Sequence, residues 1–237
     1  MKCCSEKVKF LIKVSDLMAL KKLSAAAVLL AAVLMLSSCG KYSKGDKLLS
    51  EAVSQYKEQD YQTALATLQQ AETEGLKSEK EESLYFYLGE TYYKLGDYEK
   101  SLEAHLQVVE IKPDTFKSWV TIGVCYRKLG EDNKALDAYN KALSHDPQNS
   151  DSVGLYVSLG ALYIENNKPY TAIDYLEKAE EFYPEHPGVH ANLAIAYAMA
   201  YEYDKSSEEL KLASAYGYPN VDTITQKINE VKKLQGK

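Results

Sequence analysis

The stretch that decides the fold runs from Tyr85 to Tyr126: YFYLGETYYKLGDYEKSLEAHLQVVEIKPDTFKSWVTIGVCY. It opens on Tyr85-x-x-Leu88-Gly89-x-x-Tyr92, and the pattern returns 34 residues later as Trp119-x-x-Ile122-Gly123-x-x-Tyr126. Between the two lie Gly96, Asp97 and Tyr98, then Ser101, Val108 and Pro113. Apolar residues three and four apart predict one face of an α-helix. Gly96-Asp97 predicts a turn, since glycine takes positive φ without steric cost. Pro113 predicts the end of a second helix, because proline cannot continue the hydrogen-bond ladder. The unit is a helix–turn–helix hairpin.

Outward from this stretch the unit recurs. The Trp119 copy continues through Gly130, Ala135, Tyr139, Ala142 and Pro147. After a three-residue insertion, Ser150 to Ser152, comes Tyr156-x-x-Leu159-Gly160-x-x-Tyr163 with Ala172, Ala179 and Pro184. A weaker copy reads His190-x-x-Leu193-Ala194-x-x-Tyr197, with Ser206, Ala213 and Pro219. Upstream, Ala52, Tyr56, Asp60, Tyr61, Ala64, Leu68 and Ala71 form a degenerate first copy. The copies span 45–78, 82–115, 116–149, 153–186 and 187–220. Glycine inside a helix costs about 1 kcal/mol. Its recurrence at Gly89, Gly123 and Gly160 therefore predicts a close crossing with the second helix, which Ala135 and Ala172 approach from the other side. A lone hairpin cannot bury its apolar faces, so the copies are expected to stack into one continuous array.

This pattern resembles the tetratricopeptide repeat family, W-x2-L-G-x2-Y…A-x3-F…A-x4-P. The resemblance covers most of residues 48–220 and implies an all-α fold, a right-handed α-solenoid of about five hairpins. Ala52 and Ala194 stand where glycine is usual, and the first copy lacks its closing proline; such departures suit the terminal units of an array. Residues 221–237 begin with VDTITQKINEVKKLQ, whose Val221, Ile224, Ile228, Val231 and Leu234 line one helical face. That segment is expected to be the helix that caps the last hairpin.

By the same resemblance, partners bind the concave face formed by the first helix of each hairpin. The groove residues would be Leu49, Val53 and Tyr56; Phe86, Glu90 and Tyr93; Val120, Val124 and Arg127; Val157 and Ile164; and Asn192 and Ile195. Tyr87, Thr121, Glu165 and Met199 fall at further groove positions. The lysines and asparagines with which some family members clamp a C-terminal carboxylate are replaced here by Leu49, Val53 and Phe86. The expected groove is apolar and aromatic. Aromatic rings are favoured anchors in interfaces, so an apolar or aromatic peptide segment is the expected partner. The competing expectation is that these side chains merely pack between neighbouring first helices.

The N-terminal segment is read as an address. Lys21 and Lys22 precede an uncharged run from Ser24 to Ser37 that leads into Cys39. This is the order of a secretory signal, and its 14 residues are too few for a permanent span of about 20. Leu36-Ser37-Ser38-Cys39 resembles the bacterial lipobox. That implies a signal peptide over 1–38, cleavage before Cys39, and diacylglycerol and further acyl chains on Cys39; two or more chains make a stable anchor. An ordinary cleaved signal with an incidental cysteine is the alternative. Residues 1–17 do not fit a signal, so Met18 is the expected start. Residues 39–47 read as a lipidated tether. The body would then be exported and held at the cell membrane or outer membrane, facing the periplasm or the cell exterior.

Composition narrows the function. The 28 basic and 34 acidic residues give a net charge of -6, and residues 39–237 carry 22 against 32. Such an acidic body repels phosphate backbones, so nucleic acid is an unsuitable partner. Cys3, Cys4, Cys39 and Cys125 have no disulfide or zinc spacing, and Cys125 reads as a small buried residue. His186 and His190 sit four apart, a possible metal pair, but His186 precedes Pro187 and falls outside the helix. No phosphate loop, nucleophile elbow or metal-ligand cluster is legible, so neither catalysis nor a cofactor is expected. The leading expectation is a membrane-tethered scaffold that binds an envelope protein or peptide. The alternative is a lipoprotein that delivers a hydrophobic small molecule to a transporter.

Overall fold

A computed structural model describes residues 43–236. Eleven α-helices follow one another, with no strand among the described residues. They are α1 (Lys44–Lys57), α2 (Tyr61–Glu74), α3 (Glu81–Leu95), α4 (Tyr98–Ile111), α5 (Phe116–Lys128), α6 (Asp132–Leu143), α7 (Val153–Glu165), α8 (Pro169–Phe182), α9 (Pro187–Met199), α10 (Tyr203–Ala215) and α11 (Val221–Leu234). Helices α1 to α10 pair in sequence into five antiparallel hairpins, and α11 follows the last. The segment expected to be a signal peptide, Met18, Cys39 and the two cysteines ahead of them lie outside the described residues.

The hairpins turn at one register. In each, the residue joining first to second helix is left-handed: Gln59 (φ 65°), Gly96 (82°), Gly130 (77°), Asn167 (54°) and Tyr201 (67°). The sequence displays this need only where glycine fills it. Two of the second helices start on an aspartate cap, Asp60 accepting from the Thr63 N–H at 3.2 Å and Asp97 from that of Lys100 at 3.1 Å. These caps satisfy N–H groups that have no partner within the helix.

The helix-interior glycines pack as expected. A Cβ on Gly89 would lie 2.5 Å from Cδ2 of His105, and one on Gly160 would lie 2.5 Å from Cγ of Leu176. Gly123 faces the ring of Tyr139 in the same way. The core is therefore continuous. Leu49, Ala52, Leu68 and Ala71 of the first hairpin pack with Leu84, Leu88 and Ala104 of the second. Tyr139 and Ala142 pack with Leu155 and Leu159, and Leu176 packs with Leu193 and Tyr197.

The tether expected over 39–47 ends sooner, because helix α1 begins at Lys44 with Gly45 and Asp46 buried. The cause is a capping box. The Ser43 hydroxyl accepts from the Asp46 N–H at 3.0 Å, and the Asp46 carboxylate accepts from the Ser43 N–H at 3.1 Å. Gly45 lets the chain pass against the carbonyls of Ala71 and Gly75. What reads as a small, polar linker is the first turn of the array.

The three-residue insertion forms a 3-10 turn, Ser150–Ser152, capped by Asn149. At the far end, Ile224 and Ile228 of α11 pack on Ala191, Ala194, Ile195 and Ala198 of α9. The last helix thus covers the first helix of the fifth hairpin.

Candidate functional site

The first helices α1, α3, α5 and α7 meet along one face, and polar side chains link them laterally. The Tyr56 hydroxyl donates to Glu90 Oε2 at 3.2 Å, joining α1 to α3. The Thr121 hydroxyl donates to Glu90 Oε1 at 3.3 Å, joining α5 to α3. Farther along, Nη1 of Arg127 lies 3.4 Å from Glu165 Oε1, joining α5 to α7. Glu90 is the centre of this line. Nε2 of the buried His105 lies 3.4 Å from Glu90 Oε1, a contact too oblique for a full hydrogen bond. Nδ1 of His105 pairs with the Ser118 hydroxyl at 3.2 Å.

Burial opposes the charge on Glu90, but His105, Tyr56 and Thr121 outweigh it and hold the carboxyl below its ordinary range. Burial, and then the Glu90 carboxylate, push the Tyr56 hydroxyl up, so it remains a donor. The middle of the face therefore holds a fixed negative charge among rings.

Four of those rings join in one group with His105, and Tyr93 forms a separate pair. Tyr56 meets Tyr61 and Tyr87 edge-on at 5.4 and 5.6 Å, and Phe86 meets Tyr87 and His105 edge-on at 5.5 and 5.7 Å. Tyr93 lies 5.8 Å from Tyr98. Beside Phe86 and Tyr87 an open cleft of about 500 Å³ runs to Phe116, His145 and Pro147.

Of the thirteen side chains expected to line the groove, eleven keep partial exposure and two are buried. Leu49 is 5% exposed and packs in the core of the first hairpin; Ile195 is 6% exposed and lies beneath α11. Neither is presented to a partner. For Leu49 the reason is its packing with Leu68 and Leu84 of the neighbouring helices; for Ile195 it is the docked last helix. Val53, Val120, Val124, Val157 and Ile164 are half-buried and pack against the core clusters. Asn192 donates to the Gly188 carbonyl at 2.8 Å, a bond within its own helix. Tyr56, Phe86 and Tyr93 differ, because they are partly exposed and belong to none of the core clusters. Around Glu90 they are the aromatic part of the expected groove that lies outside the core clusters.

His105 supports this site, although the repeat pattern does not single it out. The available signal is its place sixteen residues after Gly89, where Tyr139 follows Gly123. Cys125 is buried, and burial pushes its thiol up, as suits a packing residue. No helix among the described residues is long and apolar enough to cross a membrane.

Three models of the tetratricopeptide repeat match the chain, at residues 49–114, 116–149 and 153–186. Together they cover more than half of it. A comparison with curated protein sequences returned no match. Among solved structures, a crystal structure of MamA protein is 18% identical, with a TM-score of 0.59 over 73% of this chain and 91% of that one. A thermophilic TPR protein of Thermus thermophilus, TTC0263, is 19% identical, with a TM-score of 0.58 over 79% of this chain and 98% of that one. A MamA RS-1 double mutant gives 17% and 0.59 over 83% and 97%. These likenesses concern the fold. With three repeat matches in the positions where the hairpins stand, the chain belongs to the tetratricopeptide repeat family.

Proposed function

We propose that this repeat scaffold is lipid-anchored through Cys39 in a bacterial cell envelope and holds a segment of an envelope protein against the Tyr56–Phe86–Tyr93 face. The observation that carries the binding half is that Tyr56, Phe86 and Tyr93, near the ionised Glu90, are partly exposed and belong to no core cluster. Rings of this kind give large contact area at low entropic cost and dominate interface energetics. The carboxylate adds selectivity, since a segment pairing a hydrophobic side chain with a basic or hydrogen-bond-donating one would satisfy both. Arg127 and Glu165 extend the polar line toward the fourth hairpin.

The anchoring half rests on the lipobox-like Leu36-Ser37-Ser38-Cys39 after its apolar run. Capping at Ser43 adds a geometric consequence. Four residues separate Cys39 from the start of α1, a reach of about 14 Å when fully extended. The first hairpin would then sit against the headgroups, and the partner would be engaged close to the membrane.

Both halves are tested in the native cell. A photo-crosslinking side chain at Tyr93 should capture one protein repeatedly. The yield should fall at least about tenfold in Phe86→Ala, a loss typical of an aromatic anchor. Cys39→Ser should abolish incorporation of labelled acyl chains and release the protein from the membrane fraction. Indifference of the crosslink to Phe86→Ala would remove the binding half. Membrane retention without acyl label would remove the anchoring half.

A further inference from the structure

In the third hairpin, Trp119 Nε1 donates to the Pro113 carbonyl, six residues earlier, at 2.7 Å. At the equivalent place in the fifth hairpin stands His190, whose Nε2 lies 2.6 Å from the Pro184 carbonyl, again six residues earlier. A carbonyl only accepts, so Nε2 of His190 carries a proton. Histidine thus performs the indole's structural task with one nitrogen. Its second nitrogen, Nδ1, is extra, and the indole has no counterpart to it.

That second nitrogen faces two carboxylates. Glu209 Oε2 lies 2.8 Å from Nδ1 and Glu180 Oε1 lies 3.8 Å from it. The three residues come from three helices: Glu180 from α8, His190 from α9 and Glu209 from α10. Their ligand atoms all lie within 4.8 Å of one another. The imidazole is 2% exposed, Glu209 14% and Glu180 35%, so the pocket is closed on one side and open to water on the other. Among the described residues, no lysine or arginine forms an ion pair with either carboxylate. His186 takes no part: its Nδ1 accepts from the Val189 N–H at 3.2 Å and caps α9.

We propose that Glu180, His190 and Glu209 form a binding site for a divalent transition metal of the zinc class, which clasps the fourth hairpin to the fifth. One imidazole with two carboxylates is a borderline N/O donor set suited to zinc and its neighbours rather than to magnesium or calcium. The Nε2 proton on the Pro184 carbonyl is the outer hydrogen bond that a metal-bound histidine ordinarily makes, and it fixes the tautomer with Nδ1 toward the metal. Three protein ligands leave a fourth position for water on the exposed Glu180 side. A dication would also neutralise two carboxylates that no lysine balances. Without metal, one proton between Nδ1 and Glu209 joins the two, and the cluster is a hydrogen-bonded group only.

The test is calorimetric titration of the metal-stripped, full-length protein in detergent with zinc chloride. The expected result is one zinc per chain. Affinity should fall at least about tenfold in Glu209→Gln and in Glu180→Gln, the least effect anticipated when ligands are lost, given that outer-shell losses alone cost that much. His190→Trp keeps a donor for the Pro184 carbonyl, as Trp119 does in the third hairpin, and should bind no zinc. Circular dichroism checks that it folds; if it does not, the two glutamine variants decide. Absence of saturable binding, or binding that neither glutamine variant weakens, would overturn the proposal and leave only the hydrogen-bonded cluster.

Discussion

Gly123 lies flat against the buried ring of Tyr139, sixteen residues later, and the same spacing sets Gly89 against His105 and Gly160 against Leu176. This contact sets how closely first and second helices approach in three consecutive hairpins. It also explains why helix-weakening residues persist there. Replacing Gly123 by alanine would gain up to about 1 kcal/mol of helix propensity, but the new methyl would overlap a ring that has no room to move. Overpacking a core costs about 1–3 kcal/mol, and more against rigid groups. We expect Gly123→Ala to be destabilising by about 2 kcal/mol net in urea unfolding. Gly154→Ala is the control. No atom lies within 4 Å of a Cβ at Gly154, so that variant should be neutral or more stable.

The left-handed turn residues give a prediction of opposite sign. Tyr201 (φ 67°) and Gln59 (φ 65°) occupy the conformation that Gly96 and Gly130 fill without strain. A side chain in that region costs about 1–2 kcal/mol, part of which glycine forfeits by adding freedom to the unfolded chain. Tyr201→Gly should therefore raise stability by up to about 1 kcal/mol. Gly96→Ala, where nothing crowds the Cβ, should lower stability by a similar amount through the backbone alone. Thermal unfolding of the pair checks both.

Asp46 makes the start of the array sensitive to acid. Burial works against its charge, but the Ser43 and Lys77 N–H groups, the Ser43 hydroxyl and the Lys77 ammonium outweigh it and hold the carboxyl below its ordinary 3.8. A folded-state pKa below the unfolded one means that ionised Asp46 stabilises the fold. That contribution is complete above the unfolded value and is lost as pH falls through the folded one. Asp46→Ala should cost about 1–3 kcal/mol at pH 7, because two backbone N–H groups lose their acceptor. The gap between wild type and variant should narrow below about pH 4. A gap that stayed constant from pH 7 to pH 3 would show that Asp46 acts through packing alone.

The hairpins were legible because their constraints are local and repeat: a glycine at three of the five crossings, a proline after four of the five second helices, and apolar residues at helical spacing between them. The site was only partly legible for a reason of the same kind. Counting from the repeat names Tyr56, Phe86, Glu90 and Tyr93, which keep partial exposure, but it cannot tell the buried Leu49 from Val53. The two stand four residues apart on one face of α1, and how deeply each is covered depends on the neighbouring helices rather than on the repeat pattern. His105 and Glu90 meet across 15 residues of chain, and His190 meets Glu180 and Glu209 from opposite directions. Charge pairs of that sort follow from how second helices pack, which periodicity does not encode.

The last helix offers the sharpest test of how the array ends. Ile224 is 6% exposed and Ile228 4%, both against Ala191, Ala194 and Ile195 of α9. Gln235 fastens the end of the segment, its Nε2 donating to the Met199 carbonyl at 3.1 Å and its Oε1 accepting from the Tyr203 hydroxyl at 2.6 Å. Ile228→Asp places a carboxylate among the apolar side chains of this seam, and burying it there costs far more than undocking the helix. Undocking forfeits the burial of two isoleucines, about 2–3 kcal/mol each, while the five hairpins keep their own core. Hydrogen exchange should therefore quicken over residues 221–234 and along the exposed face of α9, with protection retained over residues 81–165. Loss of protection throughout would mean that the array depends on its cap to fold at all. Unchanged protection over 221–234 would mean that Ile228 is not the residue that holds the helix in place.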